Sequence, residues 1–405
     1  MRDLSIYIHI PFCVRKCLYC DFLSFPVRGA ETGGEEELER YQRLLLEEIK
    51  QQSIFYKEHQ VVSIFLGGGT PSLMTEEQMR EIMEQIRAYY RVAEEAEITV
   101  EINPGTVTEE KLRGYITCGI NRISIGLQSA DNEELVRIGR IHTYEQFLET
   151  YRAARGVGFT NINIDLMAAL PGQSIVSYHN TLRRVVSLRP EHISAYSLIL
   201  EEGTPLYEKR DRYVFPSEEE DRQMYLMTGR YLSAHGYHRY EISNYAREGY
   251  ECRHNKVYWQ RGDYVGFGLG ASSMVEDVRW SNPAGMEEYA AYAVQARTPA
   301  ASVHAETSAD AVRPGENASS VCPHRERLTV REQMEEFMFL GLRMMCGVER
   351  EAFGEKFGQP IEQVYGDVIN RLCTQGLLMT EHGRIRLTER GIDISNYVMA
   401  EFLFD

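Results

Sequence analysis

Cys13, Cys17 and Cys20 stand in "HIPFCVRKCLYCDF" (residues 9–22) with the spacing C-x3-C-x2-C. Soft thiolates select zinc, copper(I) or an iron–sulfur cluster. A structural zinc ion closes its tetrahedron with four protein ligands, usually two pairs joined by a longer gap. No second C-x2-C pair follows here, and neither His9 nor Asp21 has a usual spacing for the fourth ligand. A four-iron cluster held by three cysteines leaves one iron open to a small molecule. The spacing favours the cluster; zinc and a bland core group of thiols stay open as readings of these residues alone.

These residues need a scaffold, and the chain supplies a repeating one. Strand-like runs recur at 4–10, 61–66, 96–102, 121–127, 160–168 and 192–198. Between them lie helix-period stretches such as "EEELERYQRLLLEEIKQQ", "TEEQMREIMEQIRAYY" and "TYEQFLETYRAARGVG". Several open on Thr or Ser closely followed by Glu, as helix N-termini prefer. Six strand-then-helix units predict a parallel sheet with helices outside, curved into a partial (β/α)6 barrel over residues 1–200; a flat doubly wound sheet is the alternative. Function in such barrels sits at the carboxyl ends of the strands. There the chain carries the cysteines, "GGGTPS" (67–72), Glu101, Gln128 and Asp165. Any one of the last three, alone, reads equally well as a satisfied strand-end polar group.

From residue 201 to 296 the chain turns Tyr-, Arg- and Glu-rich, with short strand-like runs "HRYEIS" and "KVYW", and is expected to fold as an extension packed on the barrel. Residues 297–326 are rich in Ala, Ser, Pro and Thr and read as a loop or linker. Residues 327–405 give two amphipathic helices, a hairpin turning at His382-Gly383 and a final helix, an order similar to a small winged-helix module.

The chain of 405 residues is 43% hydrophobic and 26% charged and has no apolar run long enough to span a bilayer. Its start lacks the basic and apolar regions of a secretory signal, so a cytoplasmic location is expected. Eight cysteines would suit disulfides, but five are scattered. The net charge of −16 argues against nucleic acid as a partner.

"CVRKCLYC", with Tyr19 before its third cysteine, resembles the cluster motif of the radical S-adenosylmethionine (SAM) superfamily, and "GGGTP" resembles its glycine-rich segment. The resemblance implies a 4Fe-4S cluster on Cys13, Cys17 and Cys20 whose open iron chelates SAM, and a one-electron cleavage of SAM to a 5'-deoxyadenosyl radical. "YIHIPFC", "GINRISIGLQS", "LVRIGRIHT", "YEISNYA", "ECRHNKVYW" and "DYVGFGLGA" extend the likeness, in order and over nearly the whole chain, to the HemW haem chaperones, relatives of oxygen-independent coproporphyrinogen III oxidase. On that pattern Tyr7, Tyr19, Gly68, Gly69, Thr70, Glu101, Gln128, Arg140 and Asp165 line the SAM site. The pattern also implies haem as a ligand, a haem-acceptor protein of respiratory membranes as partner, and a peripheral membrane contact; it names no electron donor.

Chaperone and oxidase separate on two features. The oxidases carry a further cysteine where this chain has Phe22, and a longer N-terminal arm. "HNKVYW" (254–259) matches the HNxxYW signature associated with the HemW group, which makes His254 the candidate axial ligand of haem, with Cys252, Tyr258 and Trp259 nearby. An isolated His beside aromatics is more often a hydrogen-bonded core residue. Whether the scaffold acts as an enzyme stays open, with radical decarboxylation of coproporphyrinogen III as the alternative activity. The chain departs from the pattern at Ala168-Ala169, where an aromatic-glycine pair is usual, and at Ser272, where a histidine is.

Overall fold

A computed structural model of the chain describes residues 1–27, 34–295 and 324–404. Cys322 and almost all of the expected linker at 297–326 lie outside the described residues.

Six strands, β1 (Arg2–Ile10), β2 (His59–Gly68), β3 (Val92–Ile102), β4 (Arg122–Gln128), β5 (Ile162–Ala168) and β6 (His192–Ser197), lie side by side in chain order and run parallel. Each agrees with a strand-like run to within a few residues. The helices α1 (Gly34–Gln52), α2 (Glu76–Tyr89), α3 (Glu109–Thr117), α4 (Tyr144–Val157), α5 (Ile175–Leu188) and α6 (Glu218–Ala234) follow the strands in turn. Thr75, Thr143, Ser174 and Ser217 close capping boxes at the starts of α2, α4, α5 and α6. Each such cap is worth about 1 kcal/mol.

The strands alternate with period two. Leu4, Ile6, Ile8, Ile98, Val100, Ile123, Ile125 and Ile164 share one fully or nearly fully buried face and join the core that includes Tyr41, Leu45, Ile82 and Phe147 of the helices. Each such side chain contributes roughly 1.5–3 kcal/mol of burial. The other face is polar: Ser5 bonds Ser63, Ser124 bonds Asp165, and Asn163 bonds His192. The barrel thus puts its apolar alternates under the helices and its polar alternates inside, which is what a site built on strands requires.

The region after β6 packs α6 onto the barrel and also continues the sheet at both edges. Tyr264–Phe267 pairs parallel with β1, and Ser272–Val275, Val278–Ser281 and Glu326–Arg327 follow antiparallel; Asn244–Ala246 pairs with β6. Both outer strands of the six-stranded barrel are covered in this way. Of "HRYEIS" only His238–Arg239 is a strand, and "KVYW" is helical, inside Arg253–Trp259.

A second core, with Met338, Phe353, Leu372 and Ile385, holds the C-terminal residues. Helices Val330–Gly341 and Ile361–Thr374 and the hairpin Leu378–Glu381/Arg384–Leu387 occur as expected. A further short helix, Arg350–Phe357, and a third strand, Val348–Glu349, complete the winged-helix order. Glu336 ties this module to the extended sheet, accepting from Arg261 at 2.9 Å and Arg279 at 2.6 Å.

Candidate functional site

The cysteine loop is fastened at Leu18. Its N–H donates to Ile138 O at 3.0 Å, and its carbonyl accepts from Leu206 N–H at 2.9 Å. Gly139, with φ +79°, is required here, because a Cβ would come 2.9 Å from Leu18 Cγ. Cys13 is buried, Cys17 and Cys20 are half-buried, and all three thiols are free. The Thr70 hydroxyl faces Cys13 Sγ at 3.6 Å, and Arg140 Nη1 faces Cys17 Sγ at 3.6 Å.

Among the described residues no three His, Cys, Asp or Glu side chains converge on a single-ion site. A structural zinc demands such convergence, whereas a four-iron cluster takes each thiolate on a different iron. Three free thiols on one loop, one buried and two half-buried, are a donor set of the kind a four-iron cluster takes. Arg140 Nε, buried beside the loop, has no hydrogen-bond partner.

Glycines open the floor of the site. Gly69 donates to Ile10 O at 2.8 Å, and a Cβ there would lie 2.6 Å from Phe12 O. Gly68 adopts φ +108° and donates to Glu101 Oε2 at 3.1 Å. Burial first, and then the nearby Asp165 carboxylate, push the Glu101 carboxyl up to about 8, against the opposing Gly68 N–H. Burial likewise raises Asp165, which accepts from Ser124 at 2.9 Å and Asn163 at 2.8 Å. Gln128 closes β4 with φ +70°, past an irregularity in the register with β5.

Burial raises the Tyr7 phenol, with Glu101 adding to it. Its hydroxyl lies 2.9 Å from His9 Nδ1, and His9 Nε2 lies 2.8 Å from Leu23 O. A carbonyl only accepts, so Nε2 carries the proton and Nδ1 accepts from Tyr7. Burial also raises Tyr19, which faces Arg140. Tyr7, Gly68, Glu101 and Asp165 thus face one another across β1, β2, β3 and β5, while Thr70, Tyr19 and Arg140 stand beside the cysteines.

Asn103 was not among the residues expected from sequence. It donates to Thr70 Oγ1 at 2.8 Å and accepts from Arg140 Nη2 at 2.7 Å, joining the two side chains that face Cys13 and Cys17. It follows β3 in "EINPG", so the strand-end logic that singled out Glu101 could have found it. His142 and Thr106 line the same recess with Cys17, Thr70, Asn103 and Arg140.

The radical SAM superfamily model matches residues 7–185, and the HemN C-terminal domain model matches residues 328–394. Over 402 residues the chain is 33% identical to Heme chaperone HemW of Bacillus subtilis (strain 168), covering 98% of this chain and 99% of that one. The chain belongs to the HemW family. Other HemW relatives include that of Lactococcus lactis (strain IL1403), 34% identical over 99% of this chain and 97% of its own, and that of Escherichia coli (strain K12), 41% identical over 68% and 71%. Coproporphyrinogen III oxidase from Escherichia coli, a radical SAM enzyme, superposes with a TM-score of 0.81 at 22% identity, covering 99% of this chain and 90% of that one. That likeness shows the fold: a radical SAM partial barrel with a C-terminal module.

Within this HemW chain the "HNKVYW" residues occupy an unexpected setting. The Glu97 carboxylate, from β3, accepts from the backbone N–H groups of Arg253 and His254 at 3.1 Å each and so caps the helix Arg253–Trp259. That cap makes "KVYW" helical. His254 is 1% exposed; Nδ1 is bonded to Ser63 at 2.9 Å and Nε2 to Tyr258 at 2.9 Å, and the ring stacks on Phe65. Burial, reinforced by Arg122, pulls its pKa down to about 3, so it is neutral. In this conformation neither ring nitrogen is open to an iron atom. Cys252 is fully buried against Glu97, and burial pushes its thiol up to about 12. Tyr258, in contrast, lines a cavity of about 390 Å³ with Tyr7, Phe22, Leu23, Glu101 and Tyr264. Ser272 is also on its wall.

Proposed function

We propose that the chain is a haem carrier on a radical SAM scaffold. Cys13, Cys17 and Cys20 hold a four-iron four-sulfur cluster, and Tyr7, Tyr19, Gly68, Gly69, Thr70, Glu101, Gln128, Arg140 and Asp165 hold SAM. Haem is bound and delivered to acceptor proteins. The observation that carries the reading is the cavity beside the cysteine loop, walled by Phe22, Leu23, Tyr258 and Tyr264 and sharing Tyr7, Gly68 and Glu101 with the proposed SAM site. An aromatic, mostly apolar wall beside a few polar groups suits a flat macrocycle. The full-length relatives named as haem chaperones support it.

When bound, the cluster supplies a one-electron centre with one open coordination position. The chain's own residues do the rest. Arg140 would offer its guanidinium to a carboxylate, Gly68 and Gly69 would let backbone approach, and Glu101 and Asp165 would accept from hydroxyl or ammonium groups. Ligation of haem iron by His254 requires Tyr258 to turn away from Nε2, so Tyr258→Phe should ease it and His254→Ala should abolish it.

The finer reading has respiratory acceptors reached from the cytoplasm by peripheral contact. Among the described residues no helix is long and apolar enough to cross a membrane. The alternative activity, oxidative decarboxylation of coproporphyrinogen III, is tested with the reconstituted protein, SAM and reductant under anaerobic conditions. The carrier reading predicts no protoporphyrinogen. Its formation in a multiple-turnover assay would make the chain an oxidase.

A further inference from the structure

The segment "DYVGFGLGASS" (263–273) forms one wall of the cavity, with Tyr264, Gly270, Ala271 and Ser272 in its lining. The same segment is bonded to a buried carboxylate on α1. Glu48, 1% exposed, accepts at Oε2 from Gly268 N–H at 2.8 Å and from the Tyr289 hydroxyl at 2.7 Å, and at Oε1 from Asn282 Nδ2 at 2.7 Å. Asn282 ties the segment further: Nδ2 also donates to Gly268 O at 2.9 Å, and its backbone N–H donates to Ala271 O at 2.9 Å. Tyr41, earlier on α1, accepts from Leu269 N–H at 3.2 Å. Gly268 is required in this grip, because at φ +99° a Cβ would come 2.3 Å from the Tyr41 hydroxyl.

Every group bonded to this carboxylate donates. The titratable side chains facing it are phenols: Tyr41 on its own helix, Tyr56 just after that helix, Tyr90 at the end of α2, and Tyr289 with its neighbour Tyr292 on the helix Met286–Gln295. Among the described residues no cation is bonded to it. The ionised form therefore satisfies Gly268, Asn282 and Tyr289 together, whereas a proton on either oxygen sets a donor against a donor. Asn282 Oδ1, buried and without a hydrogen-bond partner, is the acceptor a protonated Oε1 would take. Turning the amide to present it breaks the bond from Nδ2 to Gly268 O. Burial raises the Glu48 carboxyl to about 7, against the opposing Tyr289, Gly268 N–H and Asn282. If Gly268 and Asn282 move away while Tyr289 stays, two contacts that hold the carboxyl down are lost, so the loosened wall binds the proton more tightly than the closed one. Proton uptake therefore favours the loosened wall.

We infer that Glu48 is a positioning residue of the cavity, its carboxylate holding the 268–272 wall closed and a proton on that carboxylate releasing it, so that the bound macrocycle is kept in alkaline and let go in acid solution. The inference rests on the haem-carrier reading only for what the cavity holds.

The test is amide hydrogen exchange of the full-length protein without haem, read on peptides covering 266–272 and corrected for the intrinsic pH dependence of exchange. In wild type the protection of this segment should fall about tenfold from pH 8 to pH 6, while the C-terminal hairpin keeps its own. Glu48→Gln should show the low protection at both pH values. Tyr289→Phe, which keeps the carboxylate and removes one donor, should move the midpoint up by about one pH unit. Wild-type protection that is equal at the two pH values, or that rises toward pH 6, would overturn the proposal, and so would a midpoint unmoved in Tyr289→Phe. Haem transfer to apomyoglobin reads the consequence for the ligand: it should be about tenfold faster at pH 6 than at pH 8 in wild type, and fast at both in Glu48→Gln. Transfer independent of pH in a wild type whose wall responds would overturn the control of the ligand. A wall that responds in a protein that takes up no haem would support the role of Glu48 and sink the carrier reading instead.

Discussion

Asn103 and Arg140 meet at 2.7 Å, the side-chain oxygen of one accepting from Nη2 of the other. Through this contact the end of β3 sets the guanidinium that faces Cys17, while Asn103 Nδ2 holds the hydroxyl that faces Cys13. Asn103→Ala is expected to leave the iron content of the reconstituted protein unchanged and to weaken SAM binding about tenfold, or about 1.4 kcal/mol. Calorimetric titration with SAM checks this; unaltered affinity would show that Arg140 is positioned without Asn103.

Glu101 has its carboxyl raised to about 8, with burial the main cause. Protonated at pH 7 in the free protein, it should lose its proton when cationic SAM arrives, so binding should release up to one proton. Calorimetry in buffers of different ionisation enthalpy measures it. Glu101→Gln should abolish the release, and at pH 9 and above wild type should lose it as well. The same shift has a sign for stability: a carboxyl raised on folding contributes below its unfolded value and loses that contribution as pH rises through about 8. Wild type should therefore lose stability relative to Glu101→Gln between pH 5 and 9.

Glu97 accepts from two backbone N–H groups at the start of the Arg253–Trp259 helix. Glu97→Ala leaves them without that cap and should cost about 1–3 kcal/mol, the penalty for the one buried donor, His254 N–H. Chemical denaturation measures the loss. Circular dichroism and the haem spectrum should change together if the helix positions Tyr258 in the cavity wall.

Ala169 holds φ +58°, a left-handed conformation that favours glycine. Ala169→Gly should stabilise the protein by about 0.5–1 kcal/mol, relief of strain exceeding the entropy that glycine adds to the unfolded chain. An unchanged or lower melting temperature would contradict the strain assigned to this turn.

The barrel was legible in the sequence because its two periods are clean. Alternation in "NINIDLMA" and "NRISIGL" separates the helix-facing Ile residues from Asp165 and Ser124, and Thr or Ser stands before each of α2 to α6. The turn at His382-Gly383 was legible too, since both residues adopt positive φ. The "KVYW" helix was not, because its cap is a carboxylate 156 residues earlier in the chain. Local alternation of apolar and polar residues therefore suggested a strand. The burial of His254 was hidden for the same reason: Ser63, Phe65 and Glu97, which enclose it, come from β2 and β3. The extension was expected to pack on the barrel; that it also pairs with the free edge of β1 is not visible in anything local to "DYVGFGLGASS".

The central claim, a carrier that holds haem beside a three-cysteine cluster, is tested most directly by haem titration of the anaerobically reconstituted protein, following the Soret band with and without SAM. The account predicts saturable binding of one haem per chain, a shifted Soret band that Tyr258→Phe or His254→Ala displaces, and transfer of that haem to an apo-acceptor. Haem that binds without saturation, or equally in wild type and in a variant with the cavity filled by Ser272→Trp, would contradict it.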